Sequence, residues 1–222
     1  SRQFPPDMPI APIRYEFHQP PLYYMVAAPV YGLAGEIPLS TGVQGLIAAA
    51  GAPTKWGWPI GAQARALRFL TIVFGVAFLW VCFRLIRLIF PADGTLALFA
   101  TGLAATVPMH VALSAAVNND GLSNLLLVST VFMMLRAVRS EPEGRSVAWQ
   151  RWVRAGLVMG LALLTKTSAY VVIPLGILII AAHGWRKSTI RAKAIRSAAR
   201  FGPALLLNVP WYVRNALTYG GI

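Results

Sequence analysis

The sequence predicts an all-α fold, a polytopic transmembrane helical bundle with interfacial helices in a long first extracytoplasmic loop. Of its 222 residues, 57% are hydrophobic and only 12% are charged, and the mean hydropathy is +0.60. An average globular domain is about a quarter charged. Long apolar runs alternate with basic clusters, which is typical of membrane helices joined by loops. We therefore expect a single membrane domain.

The positive charge of the chain fits a membrane protein better than a nucleic-acid-binding one. The net charge is +13 and the pI is about 10.9. The basic residues lie mostly between apolar runs, as in cytoplasmic loops, so no nucleic-acid partner is expected. The single cysteine, Cys82, lies inside an apolar run and supports neither a disulfide framework nor a Cys-rich metal site. Because the chain starts at Ser1 without an initiator Met and stops abruptly at Ile222, we expect it to be a fragment of a longer protein.

Residues 1–65 are predicted to form the extracytoplasmic loop with its juxtamembrane helices. Six prolines in residues 1–21 favour an extended chain. The apolar run 22–33 contains three tyrosines and is too short to span a membrane, which predicts an interfacial or re-entrant helix. Residues 39–50 are predicted to form a second surface helix, and residues 54–59 an interfacial loop with two tryptophans.

Residues 66–222 are predicted to form the transmembrane bundle, with about six spans or short helices. Pro108 predicts a kink near the far end of the second run. The two short runs on either side of Lys166 either cross separately, with help from their flanks, or form a tight hairpin of short helices. The apolar runs are Leu67–Phe90, Thr95–Ala116, Leu122–Leu135, Ala155–Thr165, Tyr170–Ala182 and Phe201–Val213.

The distribution of basic residues predicts the orientation of the bundle. Arginines and lysines cluster around residues 84–87, 136–154 and 186–200. If every run crosses, these clusters share one side, which the positive-inside rule makes cytoplasmic. The opposite, extracytoplasmic face of a multi-pass plasma (inner) membrane protein then receives four polar clusters. They are residues 1–65, 118–120, 166–168 and 214–215.

Two side chains near the start of the chain are candidates for catalysis and metal binding. Glu16 and His18 alternate along an extended segment, so they point to the same side. A carboxylate and an imidazole placed in this way can hold a divalent cation or move a proton. The alternative is an interfacial loop that merely needs polar side chains.

Asp120 is the second catalytic candidate, because it is the only acid close to a span on the extracytoplasmic face. An ionised carboxylate near hydrocarbon is costly, which makes it a functional candidate by default. Asn118, Asn119 and Asp120 also form a good helix N-cap cluster, and the two roles are compatible.

Lys166, Arg214 and Asn215 are candidates for binding a substrate phosphate. An ammonium near the membrane surface binds a phosphate as a point charge, and a guanidinium can grip one with two hydrogen bonds. Alternatively, Lys166 snorkels to the membrane boundary, and Arg214, which follows two aromatic residues, anchors the chain at the interface.

Four short segments, in this order along the chain, resemble motifs of a known family. They are FHQPPLYY at residues 17–24, AVNND at 116–120, GLALLTKT at 160–167 and PWYVRNALTYG at 210–220. The segments are similar to motifs of GT-C fold glycosyltransferases, in the style of the protein mannosyltransferase-like and aminoarabinose transferase-like membrane enzymes. The resemblance covers the N-terminal part of such an enzyme.

The resemblance implies a polyprenyl-phosphate sugar donor, a carboxylate base on the first loop and, in many relatives, a divalent metal cation as the one cofactor. The acidic pair usual in the family would lie before Ser1. His18 and Gln19 stand where some relatives have Glu and Lys. Gln19 cannot supply a cation for the lipid phosphate, so Lys166 or Arg214 would have to do so.

The leading hypothesis is thus a glycosyltransferase that moves a sugar from a polyprenyl-phosphate-linked donor to an acceptor at the extracytoplasmic face, in contact with membrane lipids. The main alternative is a non-catalytic GT-C-like integral membrane subunit with a structural role in a larger complex with other membrane subunits. A small transporter or lipid-binding protein has less support, since it predicts polar residues in the middle of spans, and few are found.

Overall fold

The regular structure of the chain is helical wherever it is described, which confirms the all-α prediction. A computed structural model describes residues 20–35, 61–139, 149–184 and 190–219. The proline-rich start, the second surface helix and the tryptophan loop predicted from the sequence lie outside these ranges. The helices, in chain order, are α1 Leu22–Gly35, α2 Ala62–Ile89, α3 Gly94–Thr106, α4 Pro108–Ala115, α5 Asp120–Arg139, α6 Trp149–Leu163, the 3₁₀ helix η1 Thr167–Val171, α7 Val172–Gly184 and α8 Ile190–Tyr219.

Helices α2 and α5 are long and apolar enough to cross a membrane. Helix α2 has 28 residues and a peak mean hydropathy of 2.3, and α5 has 20 residues and 1.6. At 1.5 Å per residue they are about 42 and 30 Å long, and a bilayer has a hydrocarbon core of about 30 Å. The chain is therefore an integral membrane protein.

The second predicted span is broken at Val107. Helices α3 and α4 meet there at an angle of 62°. Pro108 begins α4, and Val107 takes the extended backbone that a residue before proline favours. The predicted kink is confirmed. If the bent pair is a single span, the described residues contain three crossing helices rather than two.

The short runs around Lys166 fold as two separate antiparallel helices, α6 with 15 residues and α7 with 13. Leu163 at the end of α6 and Val172 at the start of α7 share one apolar cluster. Farther along, Gly156 of α6 and Gly176 of α7 both lie against Arg200 of α8. Helices α6 and α7 nevertheless pack mainly against α5 and α8 rather than against each other, so they do not form a tight hairpin.

Helix α8 is longer than the apolar run that predicted it. The run Phe201–Val213 is the inner part of a 30-residue helix, and the basic segment from Ile190 onward is its first part. The basic segment is thus helical from Ile190 onward, and Arg200 at its end is fully buried in the bundle.

Helices α6 and α8 pack with their backbones in close contact. A Cβ atom at Gly156 would lie 2.2 Å from the carbonyl oxygen of Arg200, and one at Gly160 would lie 2.9 Å from the Cα atom of Ala204. The spacing of four residues on both helices shows that they run parallel. Two small residues four apart are a common device for close helix contact in membranes. The Nδ2 atom of Asn208 donates to the carbonyl oxygen of Gly160 at 3.0 Å, which ties the two helices together.

The helices place their charges at two opposite ends of the bundle. At one end, the guanidinium of Arg139 donates to the carbonyl oxygen of Ile89 at 3.2 Å, so the last turns of α2 and α5 lie together. Gly121, near the start of α5, lies against Thr71 in the first half of α2, so these two helices are parallel. We call the end with Arg84, Arg87, Arg136, Arg139, Arg151 and Arg154 the arginine-rich end, and the opposite end the polar end.

Substitution of Gly156 by alanine should destabilise the protein by about 1–3 kcal/mol, because the new methyl group meets backbone atoms that cannot move aside. The midpoint of thermal unfolding in detergent should fall accordingly. Gly202→Ala on α8 is the matched control, since a Cβ atom there has no described neighbour within 4 Å. Equal midpoints for the two variants would contradict the close α6–α8 contact.

Candidate functional site

An ion pair at the polar end joins two of the predicted site residues. The Nζ atom of Lys166 donates to Oδ1 of Asp120 at 2.5 Å. Asp120 is the first residue of α5, and Lys166 follows the end of α6, so the contact requires these two helices to be antiparallel. The side chains of Lys166 and Asp120 are 31% and 28% exposed. The pair is thus accessible from the polar end.

Asn118, and not Asp120, caps the first turn of α5. Its Oδ1 atom accepts hydrogen bonds from the amides of Asp120 at 3.0 Å and Gly121 at 3.4 Å. Its Nδ2 atom donates to the carbonyl oxygen of Leu113 in α4 at 3.1 Å. The cap prediction for this cluster is correct through Asn118. Since Asn118 meets the amides, the carboxylate of Asp120 can turn toward Lys166.

Short-range hydrogen bonds fix the segment that carries Lys166. The buried hydroxyl of Thr165 donates to the carbonyl oxygen of Leu161 at 2.8 Å. Lys166 itself is extended, with φ −160° and ψ 144°, and its carbonyl oxygen accepts from the amide of Ala169 at 3.0 Å. After α6, the chain is extended at Lys166 and then turns directly into η1. This path places the ammonium of Lys166 on the side of the bundle where α5 begins.

A hydrogen bond between two tyrosines ties the end of α8 to this segment. The hydroxyls of Tyr170 in η1 and Tyr212 in α8 are hydrogen-bonded to each other. Burial raises the pKa of the Tyr170 phenol above its usual range, and the hydrogen bond with Tyr212 adds to the rise. The Tyr170 hydroxyl therefore stays protonated at neutral pH. The contact places the last turns of α8 at the polar end, beside η1.

Arg214 and Asn215 lie in these last turns of α8. The guanidinium of Arg214 is 5.0 Å from the centre of the Trp211 ring and donates to Oδ1 of Asn215 at 3.3 Å. The side chain of Arg214 is exposed, whereas Asn215 is buried. The structure thus brings Arg214 to the same end of the bundle as Lys166, and both of the roles considered for it, phosphate binding and interfacial anchoring, are compatible with this position.

The chain that follows Glu16 and His18 docks beside the ion pair. The amide of Leu22 donates to the carbonyl oxygen of Leu164 at 2.9 Å, two residues before Lys166. Pro20 is fully buried, and Tyr23 packs in one cluster with Leu122, which is two residues after Asp120. The start of α1 is therefore fixed between the end of α6 and the start of α5.

Glu16 and His18 themselves lie outside the described residues, and their roles stay predictions. Within residues 20–35, 61–139, 149–184 and 190–219, no group of three or more His, Cys, Asp or Glu side chains could hold a metal ion.

The sequence did not point to the tyrosine pair. Tyr170 and Tyr212 are 42 positions apart, and each looks by itself like an ordinary interfacial aromatic residue. The only signal in the sequence is proximity to predicted site residues. Tyr170 closely follows Lys166, and Tyr212 closely precedes Arg214.

Comparison with known proteins gives one family. The family model described as dolichyl-phosphate-mannose-protein mannosyltransferase matches residues 58–212. The matched part extends from the residues before α2 to Tyr212, and it contains both Asp120 and Lys166. Comparisons with curated proteins and with solved structures gave no match.

Comparison of single and double phenylalanine variants tests the hydrogen bond between Tyr170 and Tyr212. Tyr170→Phe or Tyr212→Phe alone leaves one half-buried hydroxyl without its partner and should cost about 1–2 kcal/mol of stability. The double variant loses both hydroxyls together and should cost no more than either single variant. Denaturant unfolding of the four proteins in one detergent measures the coupling, and additive losses would contradict a direct hydrogen bond.

Proposed function

The chain belongs to the dolichyl-phosphate-mannose-protein mannosyltransferase family, and from this premise we propose that it transfers a sugar from a polyprenyl-phosphate-linked donor to an acceptor at the extracytoplasmic face of the plasma (inner) membrane. The family makes the chain a GT-C-type glycosyltransferase. The observation that carries the proposal is the accessible Asp120–Lys166 ion pair at the polar end. A base and a phosphate-binding cation side by side are what such a transfer needs.

The assignment of the polar end to the extracytoplasmic face rests on charge. The arginine-rich end holds six arginines of α2, α5 and α6. By the positive-inside rule, this end faces the cytoplasm. Since α2 and α5 are long enough to cross the bilayer, the polar end then faces the opposite side.

In the proposed mechanism, the donor phosphate and Asp120 compete for Lys166. Without donor, the ammonium of Lys166 neutralises the carboxylate of Asp120. A bound phosphate anion draws the ammonium toward itself, because a cation binds a phosphate strongly in a partly dehydrated site. Asp120 then becomes a free carboxylate beside the reacting centre. Donor binding and activation of the base are thereby coupled.

The transfer itself is a displacement at the anomeric carbon. The acceptor hydroxyl oxygen attacks this carbon, and Asp120 takes the hydroxyl proton as general base. The bond between the anomeric carbon and the phosphate oxygen breaks, and the polyprenyl phosphate leaves with the electron pair. Lys166 stabilises the added negative charge on the phosphate. Arg214, exposed at the same end, is a further cation that can contact the donor.

The divalent metal cation remains a proposal for Glu16 and His18. Asp120 is paired with Lys166, and the described residues add no cluster of further ligands around it. A metal at the polar end would therefore draw ligands from outside the described ranges, where Glu16 and His18 are the candidates. Once bound there, such a cation would neutralise part of the donor phosphate charge.

Replacement of Asp120 by asparagine should reduce sugar transfer by about 10²–10⁴-fold, the usual contribution of a general base. The partly exposed ion pair contributes only about 1 kcal/mol or less to stability, so the variant should stay folded. The measurement is transfer from a polyprenyl-phosphate mannose donor by the full-length protein in vesicles, with unfolding followed in parallel.

Asp93→Asn is the matched control for this experiment. Asp93 caps α3 by accepting from the amide of Leu96 at 2.8 Å, and it lies at the arginine-rich end, so its substitution should leave transfer unchanged. Unchanged transfer by Asp120→Asn would exclude the proposed base. Absence of transfer by the unmodified full-length protein with its acceptors would favour the structural-subunit alternative.

Replacement of Lys166 by glutamine should raise the KM for the donor by about 10–100-fold, since a hydrogen bond to a charged group contributes about 1.5–3 kcal/mol. Lys166→Arg keeps the charge and should recover part of the loss. Initial rates at varied donor concentration measure the effect. An unchanged KM in Lys166→Gln would show that Lys166 does not bind the phosphate.

The metal proposal predicts that chelation by EDTA lowers transfer and that added Mg²⁺ or Mn²⁺ restores it. In His18→Ala the restoring concentration should rise about 10-fold or more, because one ligand is lost. Gln19→Ala is the neighbouring control and should respond like the unmodified protein. Transfer that is insensitive to EDTA would exclude a required, exchangeable metal.

A further inference from the structure

The arginine-rich end contains a cavity that the proposed sugar transfer does not use. It lies between the last turns of α5 and the first turns of α6 and has a volume of about 150 Å³. The residues that line it are Met133, Arg136, Ala137, Arg151 and Arg154. Its α5 residues lie 13 to 17 positions after Asp120, which is about 20–26 Å along the helix, so the cavity is well separated from the Asp120–Lys166 pair.

The lining of this cavity is amphipathic. The three arginines are exposed, whereas Ala137 is buried and Met133 is half-buried. Arg151 and Arg154 are three residues apart on α6 and therefore point to the same side of the helix. The cavity thus offers guanidinium groups toward solvent and an apolar wall toward the bundle. A phosphate group with an attached hydrocarbon chain has the same division between a charged and an apolar part.

The stretch of chain that contributes the arginines of the cavity carries an excess of positive charge. The stretch of residues 136–154 contains five arginines and only two acids, Glu141 and Glu143. Arg136 and Arg151 make further interactions in the structure. Even with both glutamates paired to arginines of this stretch, three of its positive charges remain, and such an excess of positive charge attracts an anion.

We propose that this cavity binds the phosphate of an anionic phospholipid headgroup from the cytoplasmic leaflet. The guanidinium fork suits phosphate oxygens, with which it forms two parallel hydrogen bonds. Anionic lipids are concentrated at the cytoplasmic membrane surface, and basic pockets between transmembrane helices on that side bind such headgroups. Exposed Trp149, the first residue of α6 and two residues before Arg151, is suited to the same interfacial depth. The ligand class is thus a phosphate monoester or diester that carries acyl chains.

The test uses the full-length protein in nanodiscs of phosphatidylcholine with increasing phosphatidylglycerol. Mass spectrometry counts the retained lipids, and thermal unfolding reports the stabilisation. The double variant Arg151→Gln/Arg154→Gln should retain phosphatidylglycerol about 10-fold more weakly than the unmodified protein. Arg84→Gln is the matched control, because it removes an exposed arginine from the same end but outside the cavity, and it should bind like the unmodified protein.

The lipid-binding measurements can support or overturn binding at this cavity. Preference for phosphatidylglycerol over phosphatidylcholine that is lost only in the double variant supports the proposal. Equal losses in the double variant and in Arg84→Gln would overturn it, because they would show a diffuse charge effect. Equal stabilisation by inorganic phosphate at the same concentration would overturn the lipid as ligand. If the double variant does not fold, the single variants Arg151→Gln and Arg154→Gln carry the same comparison, each with a smaller expected loss.

Discussion

The close backbone contact between α6 and α8 is the constraint on which the rest of the bundle depends. Gly156 and Gly160 let the backbone of α8 approach at Arg200 and Ala204, and the amide of Asn208 holds the resulting register. Because α8 has 30 residues, a fixed contact in its middle decides where both of its ends lie. One consequence is that its last turns reach η1, where the hydroxyls of the tyrosine pair meet.

Charged side chains lie mainly at the two ends of the bundle, and the two ends carry different charged groups. A helix of 20 residues is about as long as the hydrocarbon core is thick, so charged side chains are stable mainly at its ends. Helix α5 follows this rule, with Asp120 in its first turn and two arginines in its last turn. Arg200 is the exception inside the bundle. Its guanidinium donates to the carbonyl oxygen of Gly176 and lies 3.9 Å from the centre of the Phe201 ring, and both contacts offset part of the cost of burying a cation.

Several features of the site could be read from the sequence because a membrane restricts where polar residues can lie. Asp120 and Lys166 each interrupt apolar segments, so each was a candidate for function before any contact was known. The kink before Pro108 follows from the missing amide and the fixed φ of proline. The extended start of the chain and the roles of Glu16 and His18 remain predictions, because those residues lie outside the described ranges.

The sequence by itself determined the fold class, the positions of most apolar helices and the segregation of basic residues to one side. These follow from composition and local pattern, since a bilayer admits helices with apolar middles and charged ends. Only the tertiary structure decided which polar groups meet. The Asp120–Lys166 contact joins residues 46 positions apart, and the burial of Arg200 depends on a space between α5, α7 and α8. Such contacts depend on the register in which helices pack, and register is set by side-chain shape at interfaces far apart in the chain, which no local pattern records.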